Sequence, residues 1–245
     1  MRKWNGKRYW LVGASAGLGA AVAPKLSALG CEVILSARSE DGLKGVAEAC
    51  SGPTQIVTVD IADDESVATA AEAVGPIDGL VFLAGVYWPQ PAQAWNASEV
   101  TKMLDINLTG AVRVLGHVVP KMVEADDGHI VLTGSLSGFR GLPGAIGYGA
   151  SKAGIMSLAE SMYADLRGSG VDVQLINPGF IKTRLTEKND FNMPFIMEAE
   201  DAAREFVDHM QNDGFKKNFP RLFGTLFQST QFMPDWLYYR IFSKS

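Results

Sequence analysis

Cysteine, histidine and long apolar runs are all scarce in this chain, and each scarcity removes a class of protein. Its two cysteines, Cys31 and Cys50, are too few and wrongly spaced for a disulfide framework or a zinc site in 245 residues. The three histidines, His117, His129 and His209, are scattered, so no metal is expected. No apolar run reaches the length of a membrane span. The start, Met1-Arg2-Lys3-Trp4-Asn5-Gly6, is basic but has no apolar signal core behind it. A cytoplasmic location is therefore expected, and Asn96-Ala97-Ser98 and Asn107-Leu108-Thr109 match a glycosylation pattern only by chance. The formal charge is −5, and no nucleic-acid partner is expected.

What is present is an alternation of strand and helix. Apolar runs at 9–12, 32–36, 55–59, 78–83, 129–133 and 171–176 read as strands, with helical stretches near 17–29, 41–50, 64–74, 98–125 and 147–168 between them. Repeated βαβ units predict an α/β fold, a Rossmann-like doubly wound parallel sheet with right-handed crossovers. No repeat, charge block or Pro/Ser-rich linker divides the chain. With 47% apolar residues, 245 residues suit a single domain with a substantial core and are short for two.

Chemistry concentrates in two motifs. Tyr148-Gly149-Ala150-Ser151-Lys152 places tyrosine and lysine on one helix face, because residues four apart are neighbours there. A phenol titrates near ~10, so a proton transfer at neutral pH needs a depression of about three units, roughly 4 kcal/mol, for which the Lys152 ammonium and a cationic nicotinamide are the expected sources. Ser135 lies thirteen residues before the tyrosine, at the end of a strand-like run, and Asn107 a further twenty-eight before that. The second motif, Gly13-Ala14-Ser15-Ala16-Gly17-Leu18-Gly19, follows the apolar strand Tyr9-Trp10-Leu11-Val12 and opens a helix. Gly13 permits the sharp turn, Gly17 lets backbone amides approach a pyrophosphate, and Gly19 lets the helix pack on the sheet. The helix amino terminus adds partial positive charge for phosphates.

With Asp60-Ile61, Leu83-Ala84-Gly85, Asn107, Ser135, Tyr148, Lys152 and Pro178-Gly179 in the same order, residues 7 to 185 resemble a short-chain dehydrogenase/reductase of the compact single-domain branch. The resemblance implies Tyr148 as general acid/base, Ser135 as hydrogen-bond partner of the substrate oxygen, Lys152 on the nicotinamide ribose, and Asn107 positioning a water of the proton relay. Ser137, eleven residues from Tyr148, is the alternative serine. The implied cofactor contacts are Gly13, Ser15, Ala16, Gly17, Leu18, Gly19, Arg38, Ser39, Asp60, Ile61, Ala84, Gly85, Asn107, Tyr148, Lys152, Pro178, Gly179, Ile181 and Thr183. Asp60 reads equally as a turn or cap aspartate, and Thr183 as a helix cap. Two positions depart from the family pattern. Val12 replaces a common threonine, and Phe82-Leu83 replace two asparagines, which implies looser bracing of the cofactor loops.

Cofactor choice turns on the end of the second strand. An acid there would hold a ribose 2′-hydroxyl, whereas an arginine suits a 2′-phosphate. Arg38 stands at that position and no acid at 36 or 37, which favours NADP(H), with NAD(H) as the alternative.

Beyond residue 214 the resemblance thins. Phe215, Phe219, Phe223, Phe227, Phe232, Trp236, Tyr238, Tyr239 and Phe242 crowd a segment that also carries Lys216, Lys217, Arg221, Arg240 and Lys244 against Asp235 alone. Phe219, Phe223 and Phe227 predict one aromatic stripe for a helix from Arg221 onward, bracketed by Pro220 and Pro234. Three readings stay open for the stripe: core or subunit packing, including a homo-dimer or tetramer, a lid over an apolar pocket, and peripheral membrane contact. Phe191, Met193, Phe195 and Met197 fall where the family's substrate loop lies and favour a hydrophobic substrate. The sequence is thus expected to encode an NADP(H)-dependent oxidoreductase interconverting an alcohol and a ketone or aldehyde on a small, largely apolar substrate. A 3-oxoacyl reductase is an alternative within that class, and a cofactor-binding regulatory or scaffold protein one outside it.

Overall fold

Strands covered on both faces need apolar side chains at consecutive positions, and the apolar runs of this chain become the centre of such a sheet. The computed structural model describes residues 2–189 and 192–243. Its strands are β1 (Arg8–Val12), β2 (Glu32–Ser36), β3 (Thr54–Ile56), β4 (Gly79–Phe82), β5 (Gly128–Thr133), β6 (Val171–Pro178) and β7 (Lys216–Phe219). They lie in the order β3-β2-β1-β4-β5-β6-β7, and every neighbouring pair is parallel. The α-helices are α1 (Gly17–Ala28), α2 (Glu40–Glu48), α3 (Asp64–Val74), α4 (Ala97–Leu104), α5 (Gly110–Ala125), α6 (Ile146–Leu166), α7 (Ala199–Met210), α8 (Arg221–Ser229) and α9 (Asp235–Phe242).

Successive strand residues point to opposite faces, and each face builds its own core. Tyr9, Leu11, Val33, Leu35 and Val131 pack with Val22 and Leu26 of α1, Leu43 of α2 and Phe206 of α7. Trp10, Val12, Ile34, Phe82 and Leu132 pack with Val67 of α3, Val114 of α5 and Ile155 of α6. The result is a Rossmann-like doubly wound domain. Strand order reverses between β1 and β4, and at such a switch point the loops beyond the carboxyl ends diverge and leave a crevice.

Four details differ from the sequence reading. The third ladder closes at Ile56 rather than continuing to 59, although Val57 and Val59 still donate to Leu35 and Ala37 carbonyls on one side. The helix expected over 98–125 widens into a π turn at Asp105–Thr109. α7 and β7 lie outside the elements expected. α7 had a legible signal, since Ala202, Ala203, Phe206, Val207 and Met210 recur with helical spacing and are buried. β7, Lys-Lys-Asn-Phe at the sheet edge, had none. Finally, Phe219 ends β7 and is buried in the core on the α1 and α7 face, while Phe223 of α8 packs in the core on the opposite face, so the expected three-residue helical stripe is split.

Candidate active site

The crevice is a cavity of about 700 Å³ at the carboxyl ends of β1, β2, β4, β5 and β6. Its floor is the glycine turn. Gly13 has φ +95°, and a Cβ there would come within 2.5 Å of the Ala84 nitrogen. Gly17 has φ +55°, and its missing Cβ makes room for the Thr183 methyl at 3.0 Å. Only glycine combines a positive φ with approaches this close. Helix α1 has neither a side-chain cap nor an acid in its first turn, so its leading amides remain available to an anion. These features fit a dinucleotide diphosphate.

The side chains expected to contact the cofactor gather here. Ser15, Ala16, Leu18, Gly19, Arg38, Ser39, Asp60, Ile61, Ala84, Gly85, Tyr148, Lys152, Pro178, Gly179, Ile181 and Thr183 all line the cavity with Gly13 and Gly17. Arg38 is exposed and makes no salt bridge with any of the described residues. Asp60 uses one carboxylate oxygen to accept from the Ala62 amide at 3.0 Å, a local turn, while Asp63 caps α3. Ser135 and Asn107 are not among the residues that line the cavity, although their chain neighbours Gly134 and Ile106 are. Arg184, Leu185 and Thr186 also line the cavity. They were missed because no motif spacing marks a loop that only the fold brings over the glycine turn.

Four polar residues form the far end. Ser135 caps a short 3₁₀ turn, Leu136–Gly138, and its hydroxyl accepts from the Ser137 amide at 3.2 Å and the Ser137 hydroxyl at 2.9 Å. Tyr148 lies in the first turn of α6, near enough to Ser135 for that side chain to favour its ionised form. The Tyr87 ring meets Tyr148 edge-on at 5.0 Å. Lys152 is buried, donates to the Thr133 carbonyl at 2.8 Å, and lies 5.8 Å from the Tyr148 ring centre. Asn107, fully buried in the π turn, accepts from the Val86 amide at 2.7 Å and donates to the Val86 carbonyl at 2.9 Å and Ser151 at 3.0 Å. This carboxamide bolts the loop after β4 to α6. A further hydrogen bond, from Leu83 to the Val12 carbonyl at 2.8 Å, braces the positions where the sequence lacks polar side chains.

For the polypeptide by itself the electrostatics run opposite to the depression expected of Lys152 and a cationic nicotinamide together. Burial pushes Tyr148 up to about 12, with the Ser135 hydrogen bond acting downward and Tyr87 upward, and burial brings Lys152 down to about 8. The polypeptide alone therefore holds a neutral phenol rather than a phenolate. Desolvation is the largest cause for both groups, and the lysine donates to the Thr133 carbonyl with its ammonium 5.8 Å from the Tyr148 ring centre.

A doubly wound sheet with a glycine turn beneath a crevice that also holds Tyr148 and Lys152, with Ser135 nearby, defines a dinucleotide-binding oxidoreductase. Residues 7–193 match the short chain dehydrogenase profile, and the chain belongs to the short-chain dehydrogenase/reductase family. It is 40% identical over 201 residues to an uncharacterised oxidoreductase of Myxococcus xanthus, covering 79% of each chain. It is 32% identical over 184 residues to a 3-oxoacyl-[acyl-carrier-protein] reductase of Rickettsia prowazekii, covering 75% of this chain and 76% of that one. Its fold matches a serine dehydrogenase solved with NADP+ at a TM-score of 0.79 and 23% identity, over 86% of this chain and 94% of that one.

Proposed function

We propose that the protein is an NADP(H)-dependent oxidoreductase that interconverts an alcohol and a ketone or aldehyde on a largely apolar substrate, with Tyr148 as general acid/base. The observation that carries the reading is the single cavity lined at one end by Arg38 and the glycine turn and at the other by Tyr148 and Lys152. A bound nicotinamide dinucleotide would supply the hydride. Arg38 would pair with its 2′-phosphate, the α1 amides with its diphosphate, and Lys152 with its nicotinamide ribose. The serine dehydrogenase of similar fold was solved with NADP+, which accords with the Arg38 assignment.

In the reducing direction Ser135 holds the carbonyl oxygen and Tyr148, kept as a phenol by its buried setting, donates the proton. The same phenol must lose its proton before it can act as base, so oxidation needs added positive charge near the ring or higher pH. Val86, Ile106 and Leu185 give the cavity apolar walls beside these groups, which suits a substrate with little charge. A 3-oxoacyl thioester is one such carbonyl, and the likeness to the Rickettsia reductase supports it as the second reading.

Tyr148→Phe tests the assignment. It keeps the ring and removes the proton donor, so turnover of a ketone panel should fall at least ~100-fold while NADPH affinity changes little. Near wild-type turnover in this variant would reject Tyr148 as the acid.

A further inference from the structure

The loop that joins Ser135 to Tyr148 is held from outside by the C-terminal segment. Beyond the 3₁₀ turn it runs Phe139-Arg140-Gly141-Leu142-Pro143-Gly144-Ala145 into α6. Gly141 and Gly144 have no neighbour where a Cβ would stand, and Gly144 has φ +75°. Phe139 anchors the start of this stretch in the core, but Gly141 and Gly144 add no packing of their own, and ordering such residues costs conformational entropy. Its position therefore depends on a few ties. At the Tyr148 end the Gln90 amide donates to the Gly144 carbonyl at 2.9 Å.

At the Ser135 end, next to the buried Phe139, the polar tie is Arg140. Its guanidinium donates to the Thr230 carbonyl at 2.7 Å and the Met233 carbonyl at 2.6 Å, and it pairs with the Asp235 carboxylate. The same plane lies 4.0 Å from the Tyr238 ring centre. Tyr238, itself buried, returns a hydrogen bond from its hydroxyl to the Gly141 carbonyl at 2.8 Å. Arg140 is only 14% exposed. Its hydrogen-bonded partners lie 90 to 95 residues away along the chain, so only the folded tail can supply them. A planar fork can serve two carbonyls and a carboxylate while stacking on a ring; a lysine ammonium cannot do all four.

We infer that Arg140 is a positioning residue for the Ser135–Tyr148 pair, and that residues Thr230 to Tyr238 form the other half of its clamp. The tail then acts on catalysis through loop geometry. A displacement of about 1 Å at reacting groups can cost ~100-fold in rate. The glycine turn, Arg38 and the Lys152–Thr133 hydrogen bond involve neither half of the clamp, so cofactor binding should be spared.

The inference rests on the Tyr148 reading, and two measurements keep them separable. In the first, kcat and KM for carbonyl substrates are measured per NADPH-binding site for Arg140→Ala, Arg140→Lys and Tyr238→Phe. Both arginine variants should lose about 10-fold or more in kcat/KM with NADPH affinity within ~3-fold, and Tyr238→Phe should lose less in the same direction. A purely structural role would lower the number of binding sites and leave the rate at each unchanged. Wild-type kcat/KM per site in Arg140→Lys would overturn the inference, as would parallel loss of turnover and NADPH affinity. In the second, amide exchange over 139–145 should quicken in Tyr238→Phe, with or without substrate turnover; unchanged exchange would remove the clamp even if Tyr148 proves to be the acid. Arg140→Lys and Tyr238→Phe keep the test usable if the alanine variant fails to fold.

Discussion

The two ends of the cavity differ in how a single side chain can act. At the catalytic end the protein stabilises neutral Tyr148 and lowers Lys152. Sequence spacing showed that the two share a helix face, but only the fold shows that Lys152 is turned to the Thr133 carbonyl. At the cofactor end the side chain is a solvated arginine, whose worth comes from charge. The charge-assisted contact expected between Arg38 and a 2′-phosphate leads to a specific outcome: Arg38→Asp should weaken NADPH binding by about 100-fold and NADH binding far less, through lost attraction and added repulsion. Fluorescence titration of both cofactors measures this. Equal wild-type affinity for NADPH and NADH would reject the preference, whatever the variant does.

Among the elements, those with strong apolar periodicity and glycine punctuation were legible, while those held by distant partners were not. The strands β1, β2, β4 and β5 and helix α3 fell close to their sequence-based bounds because their own residues supply the pattern. The π turn was hidden, since no periodicity marks it; inside it Asn107 makes hydrogen bonds with Val86 and Ser151, partners far away along the chain. Asn107→Ala removes three hydrogen bonds in a buried site and leaves Val86 groups unpaired, a destabilisation of about 2–4 kcal/mol. Urea unfolding should show it, accompanied by weaker NADPH binding as the loop after β4 loosens; unchanged stability would mean that the π turn does not depend on Asn107. In the tail, charge and aromatic content were both legible but their use was not. Lys216 and Lys217 are paired with Glu160 and Glu205, which offsets part of the positive charge of the segment; Lys244 lies outside the described residues. Phe191 of the expected substrate loop also lies outside them. Phe223 packs against the hydrophobic core and meets Phe180, Phe195 and Phe227, whereas Leu222, Leu226, Phe232 and Trp236 are more than half exposed. The inner face thus follows the packing reading. Phe223→Ala should cost about 3–5 kcal/mol, and a cost below 1 kcal/mol in urea unfolding would contradict it.

At the scale of the whole molecule the two halves of the chain are joined by a buried polar network of Tyr9, His129 and Gln174, none of which lines the cavity. Gln174 of β6 donates its amide to the carbonyls of His209, Asn212 and Gly214, which leaves its oxygen as an acceptor. That oxygen faces His129 Nε2 at 3.0 Å, so Nε2 carries the proton and Nδ1 accepts from the Tyr9 hydroxyl at 2.9 Å. A neutral imidazole therefore satisfies β1, β5 and β6 together, and protonation would place a second donor against Tyr9 in a site with 1% exposure. Burial accordingly brings His129 down from 6.5 to about 3, with Arg2 acting in the same direction and Gln174 against it. The folded pKa lies below the unfolded one, so between these limits the unfolded chain binds a proton that the folded chain does not. Stability from this residue is complete above pH 6.5 and falls by about 1.4 kcal/mol per unit as pH drops toward 3. His129→Gln keeps a donor and an acceptor but cannot titrate. The variant should be less stable at pH 7 because its side chain fits the site less well, yet lose less stability between pH 6.5 and 4 than the wild type. Urea midpoints at stepped pH compare the two slopes; parallel slopes would show that acid sensitivity arises from other groups and that His129 titrates normally in the folded protein.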